Sequence, residues 1–231
     1  MLVIFDCETT GFQQNHIVEL ASVIICPSGE QFTWYSRMKP SSPIEDGAAS
    51  VTGITNAVVA NDPPDTEKVA EWWAAIQSVY ELGGPPMVLV GHNIRYDMNA
   101  VRKYIDIPTD TRTLCTMRLG RLYHPKAPNH KLTTLHEHLG LVGDYVAHGA
   151  LDDVYMCENI LNYYINETGK SYWELAQEQR KPVRMAIMPF GKHSGSPFNV
   201  IPTSYMSYML GLPDLDLDVR YSFQLELERR G

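Results

Sequence analysis

The chain opens with an unbroken apolar run, Met1–Phe5, that ends on Asp6. A second run follows at Ile17–Ile25 (IVELASVII), and both predict buried strands. Phe32–Met38 alternates less cleanly and is expected to pair with the second run. Pro40–Pro43 (PSSP) breaks the chain, Ile54–Val59 (ITNAVV) predicts a helical turn and Asn61–Pro64 (NDPP) a loop. The period then changes. Over Thr66–Leu82, Trp72, Trp73, Ile76 and Tyr80 fall near one face of a helix. Gly83–Pro86 (GGPP) stops it, and Met87–Val90 (MVLV) predicts a short strand. Helices are expected at Tyr96–Tyr104, Lys131–Leu139 and Ala150–Tyr164, the last of them long and amphipathic.

A meander of early strands followed by alternating strands and helices predicts an α/β fold, a mixed sheet flanked by helices. The character changes near residue 168. Asn166–Lys170 (NETGK) is polar, Tyr172–Glu178 predicts a short helix, and Arg180, Lys181 and Arg184 gather after it. Met188–Pro197 (MPFGKHSGSP) is rich in turn residues, and helices are expected at Pro202–Leu210 and Asp218–Arg230. The expected division is a core domain of residues 1–168 and a small C-terminal module of residues 169–231.

Composition narrows the class. A chain of 231 residues with 44% hydrophobic and 20% charged residues is an ordinary soluble globular protein. No apolar run reaches membrane-spanning length, and Met1–Phe5 is too short for a signal peptide, so a cytoplasmic location without membrane contact is expected. Cys7, Cys26, Cys115 and Cys157 lack any metal-site or disulfide spacing and read as reduced thiols. Cys7 lies between two acids of one strand and is expected to point away from them into the core. The net charge of −8 argues against a broad basic groove, but it says little about the field at a carboxylate site that metals neutralise.

The acids change the picture most. Asp6 and Glu8, two apart at a strand end, share one face of it. Unpaired, they repel each other; hard divalent cations remove the penalty because they prefer oxygen ligands. Spacing alone leaves open a solvated acidic turn. Asp97 follows the strand Met87–Val90, and Asp153 lies in the first turn of the long helix with His148 five residues before it. Converging, these groups make a two-metal site with a base beside it, an arrangement suited to phosphodiester cleavage.

Here the residues resemble a family. Asp6–Gly11 (DCETTG) is similar to the DxETTG motif of DEDDh 3′→5′ exonucleases, His92–Asp97 (HNIRYD) to HNxxFD with Tyr96 for Phe, and His148–Asp153 (HGALDD) to HxAxxD. Thr52–Thr55 (TGIT) resembles the family's HGIT segment with Thr52 for His. The three motifs stand in order and cover roughly residues 1–165. The tyrosine variant of the superfamily needs YxxxD, and Gly149 occupies that position; the HxAxxD spacing selects Asp153 over Asp152.

The resemblance implies an RNase H-like fold and removal of nucleotides from DNA 3′ ends with two divalent cations, Mg²⁺ or Mn²⁺. Asp6 would bridge both ions, Glu8 and Asp153 would hold the water-activating one, Asp97 would help hold the second, and His148 would be the general base. Backbone groups of Thr9, Thr10 and Gly11 would hold the terminal nucleotide. Phe12 would either wedge against the last base or simply pack, and His92 and Asn93 would either touch substrate or brace their loop. Single-stranded DNA is the favoured partner, with RNA as the alternative. The family includes dimers, so a homodimer is also among the expected partners.

Phe190–Lys192 (FGK) with Gly195, followed by Ser204–Leu210 (SYMSYML), resembles the small module after the nuclease in the exonuclease X family of bacteria and phages. Lys192, His193, Phe190 and Tyr205 would there either grip a strand or form a small core with one exposed lysine. His124, His130, His136 and His138 lack zinc-site spacing, and neither a phosphate-binding Gly loop nor a GxSxG elbow is present. The rivals are an exoribonuclease, a polymerase proofreading subunit and, from another class, a non-catalytic nucleic-acid-binding module.

Overall fold

The computed structural model describes residues 1–80, 86–109, 111–143, 145 and 149–231. Alternation along β1 (Leu2–Thr9) sets the architecture. Met1, Val3, Phe5 and Cys7 enter one apolar cluster with Trp72 and Met98; Leu2 and Ile4 enter another with Val154 and Leu161. A strand buried on both faces belongs at the centre of a sheet. Around β1 lie β2 (Ile17–Ile25), β3 (Gln31–Arg37), β4 (Val88–Gly91) and β5 (Arg112–Cys115), in the order β3-β2-β1-β4-β5. The first three strands are antiparallel, whereas β4 runs parallel to β1 and β5 parallel to β4. The mixed sheet matches the α/β expectation.

α2 (Asp65–Tyr80) covers the first face, where Trp72 is wholly buried and donates to Ser22 Oγ at 2.9 Å. Tyr80, expected on the same face, is exposed. α3 (Arg95–Val101) closes that side. α6 (Ala150–Thr168), ended by Gly169 in the left-handed region at φ 66°, covers the second face with α4 (Thr116–Tyr123) and α5 (Leu132–His138). α7 (Tyr172–Glu178) begins with a reciprocal Ser171–Glu174 capping box and buries Leu175 and Ala176 in the same cluster. Gln179 then pins β5 through Cys115 N–H and Thr113 C=O. By packing, α7 therefore joins the core domain, one helix beyond the expected boundary at residue 168.

The C-terminal module has its own core, with Met188, Phe198, Ile201, Met206, Val219 and Phe223 gathered by α8 (Thr203–Leu210) and α9 (Leu217–Arg230). α1 (Asp46–Thr52), β5 and α4 are elements the hydrophobic pattern did not reveal. Ile54–Val59 closes in a single turn, with Val58 and Val59 N–H both donating to Thr55 C=O. Among the described residues no helix is long and apolar enough to cross a membrane.

Candidate active site

The alternation that buries Leu2 and Ile4 carries Asp6 and Glu8 to the same sheet face, at the end of β1 where α6 begins. Asp153, in the first turn of α6, meets them there: one carboxylate oxygen from each of Asp6, Glu8 and Asp153 lies within 4.8 Å of the others. Three hard oxygen donors at this spacing fit a divalent cation such as Mg²⁺ or Mn²⁺. Asp97 arrives from α3 and is 3% exposed. Its Oδ1 accepts from both the Cys7 backbone N–H and the Cys7 thiol, each at 3.2 Å. Cys7 thus lies in the core as alternation predicts, while its thiol and amide fix the fourth acid.

These carboxylates raise one another. Burial, then Asp97, Asp153, Glu8 and Glu19, push Asp6 well above the ordinary carboxylate range. Burial and the neighbouring Asp153 and Glu19 push Glu8 up to about 8. Asp97 is also raised by burial, against the pull of the two Cys7 donors. The upward shifts mark a cluster short of positive charge, which a bound cation would supply.

Glu19 was not singled out by the sequence. It faces Glu8 across the β1–β2 pair and is 8% exposed. Its Oε2 accepts from Ala150 N–H at 2.9 Å and its Oε1 from Tyr35 OH at 2.6 Å. It therefore ties the first turn of α6, and Asp153 with it, to the sheet. A glutamate inside an otherwise apolar strand was the signal available.

A bulge at Glu8/Thr9 turns the chain out of β1 into the loop before β2. Thr9 Oγ1 lies 2.6 Å from Tyr96 OH, while Thr10 is wholly buried, its N–H donating to His16 C=O and its Oγ1 accepting from His16 N–H. Gly11 has φ 128°, and a Cβ there would overlap the Glu45 carboxylate. The backbone angle favours glycine, whereas the Glu45 carboxylate, at the end of a flexible side chain, could move aside. Phe12 is 88% exposed at the tip, its ring edge-on to Tyr96 at 6.0 Å.

His92 is braced through both ring nitrogens: Nδ1 lies 2.9 Å from Thr116 Oγ1 and Nε2 2.8 Å from His130 C=O. Burial lowers its pKa to about 4, so the ring is neutral, with Nε2 donating. Asn93, at φ 63°, is exposed. Lys192 is exposed in the short 3₁₀ turn Gly191–His193, whose His193 ring packs edge-on against Tyr205 at 4.5 Å. His148 lies outside the described residues.

A second acidic cluster joins the module to α4. Asp218 is wholly buried and accepts from Arg118 Nη2 at 2.9 Å, Arg121 Nη1 at 2.7 Å and Val183 N–H at 2.9 Å. Burial alone would raise its pKa, but these donors outweigh it and hold the carboxyl below its ordinary value. Asp216 caps α9 through the Asp218 and Val219 N–H groups and also takes Arg121. Arg95 pairs with Asp214 at 2.7 Å.

Residues 3–161 match the RNase T family model, described as an exonuclease. A DNA polymerase III PolC-type of Latilactobacillus sakei subsp. sakei (strain 23K) is 32% identical over 140 residues, which is 58% of this chain and 9% of that protein. Exonuclease X in complex with 5′ overhanging duplex DNA superposes with a TM-score of 0.61 at 27% identity, covering 78% of this chain and 99% of that one. The nuclease domain of 3′hExo, a DEDDh family member bound to rAMP, shares the fold, with a TM-score of 0.58 at 21% identity over 73% of this chain and 92% of that one. The mixed sheet is thus RNase H-like. By its match over residues 3–161, the chain belongs to the RNase T family of exonucleases.

Proposed function

We propose that the chain is a 3′→5′ exonuclease that releases nucleoside 5′-monophosphates from DNA 3′ ends by metal-dependent hydrolysis. The observation that carries the reading is the convergence of Asp6, Glu8 and Asp153, with oxygens within 4.8 Å of one another. Asp97, adjoining through Cys7, completes four acids for two cations, Mg²⁺ or Mn²⁺. When bound, the cations lower the pKa of a water and stabilise the leaving oxygen. His148, five residues before Asp153, would accept the proton of the attacking water. Exonuclease X, solved with duplex DNA, supports DNA as the substrate.

Around the acids the chain positions the strand end. Gly11 and its neighbours shape the nucleotide loop, and Phe12 at the exposed tip meets the terminal base. Thr9, Thr10 and His92 hold the surroundings rigid through their own hydrogen bonds, and Asn93 stands at the cleft. Lys192, on the module, reaches the substrate further from the scissile bond.

The test is product analysis of 3′- and 5′-labelled single-stranded DNA and matched RNA, with Mg²⁺, Mn²⁺ or chelator. Mononucleotides released from the 3′ end of DNA only with metal are the expected result. Preference for RNA would make the chain an exoribonuclease, and no cleavage of either would leave a binding module. His148→Ala should lose roughly a hundredfold or more in rate. Near-wild-type turnover by that variant would remove His148 as the base.

A further inference from the structure

A cleft of about 1390 Å³ runs between the core domain and the C-terminal module. Asp153 stands on its wall, so it opens onto the acidic cluster. Its far wall is module: Arg184, Met185, Ile187, Pro189 and Phe190. Its floor carries Lys126 and Lys131 from the segments before α5. This volume is larger than a single small ligand needs.

The cleft's charges are sorted. Asp214 and Asp216 on its rim are paired with Arg95 and Arg121. Lys126, Lys131 and Arg184 are exposed, and the ion pairs of the described residues leave all three without a carboxylate partner. Away from the metal cluster the cleft is therefore locally positive in a chain of net charge −8. The same cleft is lined by Tyr96, half-buried, and by Phe190, 39% exposed on the module. Unpaired cations sharing a cleft with an exposed ring suit a backbone of phosphates carrying unstacked bases. A duplex, with its bases stacked inside, would have no use for the rings.

We infer that this cleft is the path of single-stranded DNA leading away from the 3′ end held at Asp6, Glu8 and Asp153, with the module as its outer wall. Lys126, Lys131 and Arg184 hold phosphates, and Phe190 stacks on a base. The inference rests on the proposed nuclease reading for the position of the strand end, but its test does not require hydrolysis.

The test is fluorescence anisotropy of a 5′-labelled oligothymidylate with the full chain in chelator, titrated over a range of salt. The triple variant Lys126→Ala, Lys131→Ala, Arg184→Ala should bind at least about tenfold more weakly. Its slope of log affinity against log salt should fall by about 2, the sum of three contacts on a single strand. Phe190→Ala should weaken binding about fivefold to a hundredfold while leaving the salt slope unchanged. All four side chains are exposed, and thermal melting checks that the variants fold. Wild-type affinity and slope in the triple variant would overturn the path while leaving cleavage at the acids standing. Equal loss of a blunt hairpin duplex and of the single strand would overturn it as a single-strand path. If product analysis finds no hydrolysis, the binding measurement still decides the cleft.

Discussion

Asp6, Glu8 and Asp153 at the end of β1, and Asp216 and Asp218 at the start of α9, are clusters of the same acid with opposite company. The neighbours that shift Asp6 and Glu8 are other carboxylates, and both groups are pushed upward. Asp218 is buried as well, yet two arginines and a backbone N–H hold its pKa down. Burial alone does not mark a functional acid. The difference lies in the positive charge: the fold supplies it at the module junction and does not at the end of β1, as a site built for a cation would require.

The largest effect expected from this contrast comes from Asp6→Asn. Hydrolysis should fall to background, yet the melting temperature in chelator should rise, because one of the mutually repelling groups is gone. Melting below wild type in chelator would mean that the cluster stabilises the fold. At the junction the same kind of change should act in the opposite sense. Asp218→Ala removes the only carboxylate partner of Arg118 among the described residues and leaves the buried Arg121 with Asp216 alone, and urea unfolding should show a loss of up to about 3–5 kcal/mol. A loss of a few tenths of a kcal/mol would show that the arginines find new partners.

Glu19→Ala probes the one acid that belongs to both regimes, beside the site but fully bonded. It leaves the Ala150 N–H and Tyr35 OH without their acceptor, at about 1–3 kcal/mol. Loss of stability without any drop in turnover would separate the α6 anchor from the chemistry.

The mildest test is pH. Glu8 has a folded pKa above its ordinary 4.5, so in chelator it favours the folded state at low pH and loses that contribution as pH rises from about 4.5 to about 8. Asp218 has a folded pKa below its ordinary 3.8, so its contribution is present above that value and lost as pH falls through the lowered one. Stability in chelator should therefore decline on both sides of mildly acidic pH, and added Mg²⁺ should flatten only the alkaline side. An alkaline decline that Mg²⁺ leaves intact would place the titrating groups elsewhere.

The part of the fold legible in the sequence was the part whose buried face is apolar. β2 and α7 fall on the expected residues, and β1, α2 and α6 follow from runs or periods of apolar side chains. β5 was missed because only Leu114 and Cys115 of its four residues are buried. α4 was missed because its buried face carries Thr116, Gly120 and Arg121, polar or small groups satisfied by partners far along the chain. The same applies to sites. Asp6, Glu8, Asp97 and Asp153 stand out in the sequence through their match to the motifs of a family, whereas Glu19 acquires its meaning only from Ala150, and Asp218 from two arginines of α4.

The alternation of β1 has one more consequence, for folding. A slip of one residue against β2 or β4 would exchange the strand's two faces. Asp6 and Glu8 would then point at Trp72 and Met98, and Phe5 and Cys7 would stand beside Asp153 in place of the two acids. Burying two unpaired carboxylates among those rings costs several kcal/mol, far more than the neighbouring aliphatic exchanges. The acids that weaken the finished protein in the absence of metal thus penalise its misaligned forms more severely. Asp6 and Glu8 act as a register lock, selecting during assembly the one pairing in which they can later be useful.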